Sequence, residues 1–217
     1  CAISGKWHLG DAQHPQKSIT SWYVHAKGGG PYYQAPVIRQ GSLTREDGYI
    51  TDCITEEALQ YLDEHKEEDK PFCLNVHYTA PHAPWDREHH PADIWDDYHN
   101  HCAFDSIPRE PMHPDHIIAW RRCFESPEYR REMLAGYFAA VEAMDAGVGR
   151  LLDRLKENGQ RENTLVFFTS DNGMNMGHHG IFGKGNSTFP QNMYDTSVKV
   201  PAILSMPGSI PAGRKVE

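Results

Sequence analysis

The stretch Leu165-Val166-Phe167-Phe168-Thr169-Ser170-Asp171-Asn172-Gly173, followed eleven residues on by Lys184, decides how the rest of the chain is read. Its first four residues form a short apolar, β-rich run, which reads as a buried parallel strand. Polar residues begin where that strand ends and the chain must turn. In open α/β sheets, ligands bind outside the carboxyl ends of the strands. Asp171 and Asn172 therefore offer one carboxylate and one amide oxygen to a crevice, an all-oxygen pair suited to a hard cation such as Ca²⁺ or Mg²⁺. Asp-Asn-Gly is equally ordinary turn chemistry, and on this stretch alone the two readings stand level.

Working outward, residues 128–158 carry one long amphipathic helix. Tyr129, Met133, Tyr137, Val141, Met144, Val148, Leu151, Leu152 and Leu155 trace a single face, and Gly159 is the expected C-cap. A second helix is expected from Thr51 to about His65, with Thr51 or Thr55 as its cap. A strand, Phe72–Val76, follows it. The alternation of helix and strand predicts an α/β fold with a mostly parallel sheet and helices on both faces. Ala2-Ile3-Ser4 reads as a strand end that leads into the loop Gly5-Lys6-Trp7-His8-Leu9-Gly10. Three glycines at 28–30 with Pro31 and Pro36 make residues 11–49 an irregular surface region, with one short strand at Val37-Ile38-Arg39. Residues 86–127, crowded with Pro, His and Asp, are expected to be a lid-like insertion with short helices near 91–98 and 114–123. The last strand is expected at 197–205, held to an edge by Pro201.

Composition narrows the function. The chain has 217 residues, 39% hydrophobic, enough for one domain with a real core, and no apolar run reaches the roughly 20 residues that span a bilayer. Net charge is −9 and no basic patch with interleaved aromatics occurs, which argues against nucleic-acid binding. An acidic protein still binds an anion where a few Lys and His converge. The five cysteines show no Cys-x-x-Cys spacing, so neither a zinc knuckle nor a disulfide framework is expected, and Cys53 and Cys73 read as buried small hydrophobes.

Lys6 with His8, His82, Asp171 with Asn172, and Lys184 each lie where an element ends. Ser4-Gly5-Lys6-Trp7-His8-Leu9-Gly10, Tyr78-Thr79-Ala80-Pro81-His82-Ala83-Pro84, the passage Asn163 to Gly173, and Gly183-Lys184-Gly185 with Tyr194-Asp195-Thr196-Ser197-Val198-Lys199-Val200-Pro201 occur in that order. Together they resemble the sulfatase family of the alkaline-phosphatase-like superfamily, nearly end to end. The resemblance implies a sulfuric ester hydrolase. In it Asp171 and Asn172 supply half the shell of a divalent cation, usually Ca²⁺, and Lys6 and Lys184 hold sulfate oxygens. His8 steadies the nucleophile or the sulfate, and His82 stands near the leaving-group oxygen. His179, and more loosely Asn186, Gln191 and Asn192, are candidates to touch the substrate, with a solvent-facing loop as the other reading of His178-His179. Family members are typically periplasmic, extracellular or lysosomal. The aromatic-rich insertion suggests, by analogy, a sulfated carbohydrate, since Trp and Tyr stack on pyranose faces.

The pattern breaks in two places. The family's formylglycine arises from Cys or Ser in C/S-x-P-S/A-R, and no such motif is present. Ser106-Ile107-Pro108-Arg109 has its Arg one place early, and Ser209-Ile210-Pro211-Ala212-Gly213-Arg214 one place late. The family's N-terminal aspartate pair is also missing. Residues 1–217 are therefore expected to be a partial catalytic domain that lacks the formylglycine-bearing part. Turnover is expected to be absent from this chain alone, metal affinity weak, and some sheet edge exposed. Two other readings remain: a phosphate or phosphonate ester hydrolase of the same superfamily, and a non-catalytic sulfated-glycan-binding domain.

Overall fold

The computed structural model describes residues 1–117 and 119–216. The chain forms two compact units, Cys1–Tyr98 with Ala135–Arg161, and His99–Leu134 with Glu162–Glu217.

The first unit is built on a five-stranded sheet. In chain order its strands are β1 (Ala2–Lys6), β2 (Ser21–His25), β3 (Ala35–Arg39), β4 (Ser42–Glu46) and β5 (Leu74–His77), in the spatial order β4-β3-β2-β1-β5. β1 is parallel to both its neighbours, β2 and β5, while β3 and β4 run antiparallel at one edge. The central strand β2 is buried along Trp22, Tyr23 and Val24. Its alternate side chains feed two separate cores. Tyr23 joins Tyr32, Val37, Tyr49, Ile50, Ile54, Ala140 and Ala143 on the face covered by helices. Trp22 and Val24 join Ile3 and Ile38 on the other face, beneath Trp7, Ala12 and Ile19. A strand apolar on both sides shows no alternation, and this is why residues 21–25 do not stand out within the Gly- and Pro-rich region. The β3–β4 hairpin turns through Gln40 and Gly41, both at positive φ, as a tight two-residue hairpin turn requires.

Helix α1 (Ile50–Glu64) lies close to the expected 51–65. Its cap differs from expectation: Tyr49 is the N-cap, without a side-chain hydrogen bond. Thr51 and Thr55 are both buried inside the helix, where the Thr55 hydroxyl donates to the Thr51 carbonyl at 2.8 Å. Helix α2 (Ala92–His101) forms near the predicted 91–98. Of the helix expected at 114–123, only the four-residue α3 (Arg122–Glu125) forms, and Ile118 lies outside the described residues. Helix α4 (Pro127–Glu157) spans 31 residues, about 45 Å at 1.5 Å per residue. It closes with Gly159 at φ 68° and Gln160 N–H on the Leu155 carbonyl at 2.8 Å, the left-handed C-cap read from the sequence.

In the second unit, β6 (Val166–Thr169) pairs antiparallel with β9 (Ala202–Ser205), and β7 (Asn175–Met176) pairs with β8 (Phe182–Gly183). The buried parallel strand expected at 165–168 is thus corrected. Its partner is antiparallel, and Leu165 and Phe167 are 55% and 58% exposed. Ile203 and Leu204 of β9 are likewise exposed, so this two-stranded sheet presents an apolar surface. Pro201 directly precedes β9, and the short helix α5 (Asp195–Val198) takes the first part of the segment expected as strand. All five cysteines are free, and Cys73 is exposed rather than buried. No described helix is long and apolar enough to cross a membrane.

Candidate active site

In the first unit, Lys6 is the last residue of β1 and is half-buried. Two features of β5 hold it there. The His77 Nδ1–H donates to the Lys6 carbonyl at 3.2 Å. Gly5, at φ 120°, lies so close to the His77 carbonyl that a Cβ would stand 2.0 Å from its oxygen. Only glycine lets the two strands approach this way immediately before Lys6.

His8 and His82 are 74 residues apart in sequence, yet both rest on one loop, Gly28-Gly29-Gly30. A Cβ on Gly28 would lie 2.3 Å from the His8 ring, and one on Gly29 would lie 3.2 Å from Cε1 of His82. Gly30 meets a third ring, that of His25, at 2.9 Å. The glycines are therefore a close-packed bed for imidazoles, a role that a reading of residues 28–30 as a helix breaker misses. His82 is fixed by its own loop. Its Nδ1–H donates to the Ala83 carbonyl at 2.7 Å, and its carbonyl accepts the Tyr32 hydroxyl at 2.7 Å. Cis peptide bonds at Ala80-Pro81 and Ala83-Pro84 flank it. The loop is anchored further on by buried His90, which donates from Nε2 to the Pro84 carbonyl at 3.0 Å and accepts the Tyr49 hydroxyl at Nδ1, 3.1 Å away. Burial holds the His90 imidazolium pKa down to about 4.

His25, paired with Lys6 across β1 and β2, is only 1% exposed. Its Nδ1–H donates to the Lys27 carbonyl at 2.7 Å, and burial, aided by the Lys6 charge, lowers its pKa. Sequence reading passed over it because a His at a strand end looks like any other packed His.

In the second unit, Asp171 is exposed and Asn172 half-buried on the turn after β6. The Asn172 amide N–H donates to the Gly173 carbonyl at 2.8 Å, so Oδ1 is the atom left for a cation. Carboxylate and amide oxygens are the correct chemistry for Ca²⁺ or Mg²⁺, but two residues fall short of the usual six to eight ligands. Among the described residues no group of three or more His, Cys, Asp or Glu could hold a metal. Lys184 is half-buried between β8 and the turn Gly185–Ser187, and Asn186 is exposed on that turn. His179 is exposed, at φ 56°, with its ring stacked on Tyr194 at 4.0 Å.

A buried polar knot ties these loops together. Asn175 donates through Nδ2 to the Gly183 carbonyl at 3.2 Å and the Ser197 hydroxyl at 2.7 Å, and accepts the Thr196 hydroxyl at 2.5 Å. Ser197 in turn donates to Asn192 Oδ1 at 2.7 Å, and Asn192 donates to the Gly185 carbonyl at 3.2 Å. The Gly173 N–H reaches the Ser197 carbonyl at 3.0 Å. The turns bearing Asp171-Asn172 and Lys184 are thus brought together around α5. Asn192 acts here through this knot. Only the Asn at 175, fully buried beside a Gly-rich stretch, could have hinted at it.

The first unit thus sets Lys6 and His25 side by side at the carboxyl ends of the parallel pair β1 and β2, the end of an α/β sheet where ligands bind. The Sulfatase family model matches residues 2–217, and the chain belongs to that family, within the alkaline-phosphatase-like superfamily. It is 29% identical to the N-acetylglucosamine-6-O-sulfatase of Bacteroides thetaiotaomicron, over 98% of this chain and 48% of that protein. It is 33% identical to the uncharacterized sulfatase YdeN of Escherichia coli, over 79% of this chain and 30% of that protein. Among solved structures it resembles BT4656 in complex with its substrate D-glucosamine-2-N,6-O-disulfate, with a TM-score of 0.70 and 25% identity over 98% of this chain and 54% of that one. The chain spans about half the length, or less, of these relatives.

Proposed function

We propose that this chain carries part of the catalytic machinery of a sulfatase that hydrolyses sulfate esters on a carbohydrate. The observation that carries the reading is the meeting of His8 and His82 on one glycine loop, in a chain whose Sulfatase match runs from residue 2 to 217. Substrates named for its relatives, such as D-glucosamine-2-N,6-O-disulfate, support a sulfated sugar.

The chemistry asks for what these residues offer. Hydrolysis breaks the bond between sulfur and the bridging oxygen, and negative charge grows on that oxygen as it leaves. Lys6 and Lys184 neutralise the sulfate oxygens, and charge stabilisation of this kind is strongest when the groups are held in place beforehand. His82 delivers a proton to the departing sugar oxygen. With Nδ1–H committed to Ala83, Nε2 is the atom that carries it. His8, bedded on Gly28, orients the sulfate. His179 and Asn186 contact the sugar. Asp171 and Asn172 contribute oxygen ligands to a divalent cation, preferably Ca²⁺, which would act as a Lewis acid toward the sulfate. The nucleophile and the remaining cation ligands come from outside these residues, because no C/S-x-P-S/A-R motif occurs within them. Residues 1–217 alone are accordingly expected to leave aryl sulfates intact.

The test is turnover of an aryl sulfate and an aryl phosphate by the protein joined to a family segment that bears the nucleophile. Sulfate turnover should exceed phosphate turnover, and Lys6→Ala or His82→Ala should lower kcat/KM by about 10²-fold or more. Undiminished turnover in both variants, or a preference for phosphate, would refute the assignment.

A further inference from the structure

We propose that the cleft formed by Arg109, Arg130 and Arg131 in the second unit is an oxyanion-binding subsite that takes a sulfate or carboxylate group of an acidic carbohydrate. The three side chains line one cavity of about 190 Å³, together with Phe104, Glu128 and Leu134. Whole-ligand pockets run to roughly 300–1,000 Å³. This one suits a charged substituent, not a complete sugar unit.

The charge balance of the cleft points to an anion. None of the three arginines has a carboxylate partner among the described residues, although the protein as a whole is acidic. Glu128 lies at the cleft, but its carboxylate is engaged by His99 Nε2 at 3.1 Å. Arg130 is half-buried, and burial, followed by the charge of neighbouring Arg109, lowers its pKa. Guanidinium groups that repel one another in a cleft are relieved by a shared anion.

The cationic groups are also held ready. Arg130 donates to the Pro108 carbonyl at 2.8 Å and lies 4.9 Å over the Phe182 ring. Arg131 donates to the carbonyls of His99 and Cys102 and stands 5.5 Å from the Phe104 ring centroid. Neutral carbonyls and aromatic faces fix their positions without cancelling their charge. Each guanidinium has more donors than these carbonyls use, and the planar fork matches a sulfate or carboxylate edge. Arg109, exposed and without such tethers among the described residues, completes the set. The choice of an acidic sugar as the source of the anion rests on the sulfatase reading above; the anion site itself does not.

Arg109 is the clean probe, because its removal costs no side-chain hydrogen bond among the described residues. Binding of two hexasaccharides to the 217-residue chain would be measured by calorimetry, one sulfated and free of carboxylates, the other a polyuronate free of sulfate. Side-chain Nε–H signals of Arg130 and Arg131 would be followed by NMR in the same titrations. Binding of either sugar should shift both signals. Arg109→Ala should weaken it about five- to tenfold, Arg109→Glu more, and Arg109→Lys about twofold. Which sugar binds identifies the anion. Absence of binding by both, or equal affinity in Arg109→Glu and the unaltered chain, overturns the proposal. No arm requires turnover, so the result stands apart from the fate of the catalytic assignment.

Discussion

Acid should loosen the first unit through one buried imidazole. His90 is 2% exposed and anchors the loop that bears His82, by donating to Pro84 and accepting from Tyr49. The folded state keeps it neutral, with a pKa near 4 in place of the ordinary 6.5. The unfolded chain takes up a proton below about 6.5 that the folded chain refuses. His90's contribution is therefore complete above that pH and is lost progressively as pH falls toward 4. The gap between the two values corresponds to about 3 kcal/mol in all, of which about 2 kcal/mol disappears between pH 7 and pH 5. Losses of this size are a large share of a domain's typical stability of 5–15 kcal/mol. Urea unfolding at the two pH values, followed by tryptophan fluorescence with buried Trp85 as reporter, measures the difference directly. His90→Gln supplies the comparison, since a glutamine amide can donate and accept without titrating. Every other histidine, including buried His25, is present in both proteins and cancels. The unaltered chain should lose about 2 kcal/mol more than His90→Gln on moving from pH 7 to 5. Equal losses in the two would refute the reasoning.

Gly28→Ala places a methyl 2.3 Å from the exposed His8 ring. The ring can swing into solvent at small cost in stability, so in the protein joined to a nucleophile-bearing family segment kcat/KM should fall at least tenfold while Tm moves by only a few degrees; an unchanged kcat/KM there would show that His8 has no part in the reaction. Asn175→Ala empties the centre of the polar knot and removes its bonds to the Ser197 and Thr196 hydroxyls and the Gly183 carbonyl, leaving Ser197 only its bond to Asn192. It should cost about 3 kcal/mol and speed amide exchange across residues 183–198, and protection equal to that of the unaltered chain would contradict the knot's role.

The two helices with strong periodicity, α1 and α4, were legible because their apolar faces repeat at 3.6 residues over four turns or more. The Gly159 cap was equally plain. What escaped was everything settled by distant partners. β2 carries no alternation because both its faces are buried, so the Gly28–Gly30 run and the prolines at 15, 31 and 36 around it dominated the reading. β6 looked like an interior parallel strand from its composition alone, whereas pairing direction is set by whichever strand lies alongside, here β9. Thr51 and Thr55 looked like caps because hydroxyls favour that position, but packing drew both inside α1.

By itself the sequence determined the types of chemistry on offer: oxygen ligands at Asp171-Asn172, ammonium groups at Lys6 and Lys184, imidazoles at His8 and His82, and the α/β alternation that puts each at the end of an element. These are local properties, fixed by side-chain identity and by backbone periods a few residues long. Only the tertiary structure decided that Gly28 and Gly29 are the surface on which His8 and His82 meet, that His77 and Gly5 pin Lys6, and that Asn175 and Ser197 bind the turns around Asp171 and Lys184. Such contacts join residues tens of positions apart, and their energy depends on distance and burial, quantities that no local pattern of residues encodes.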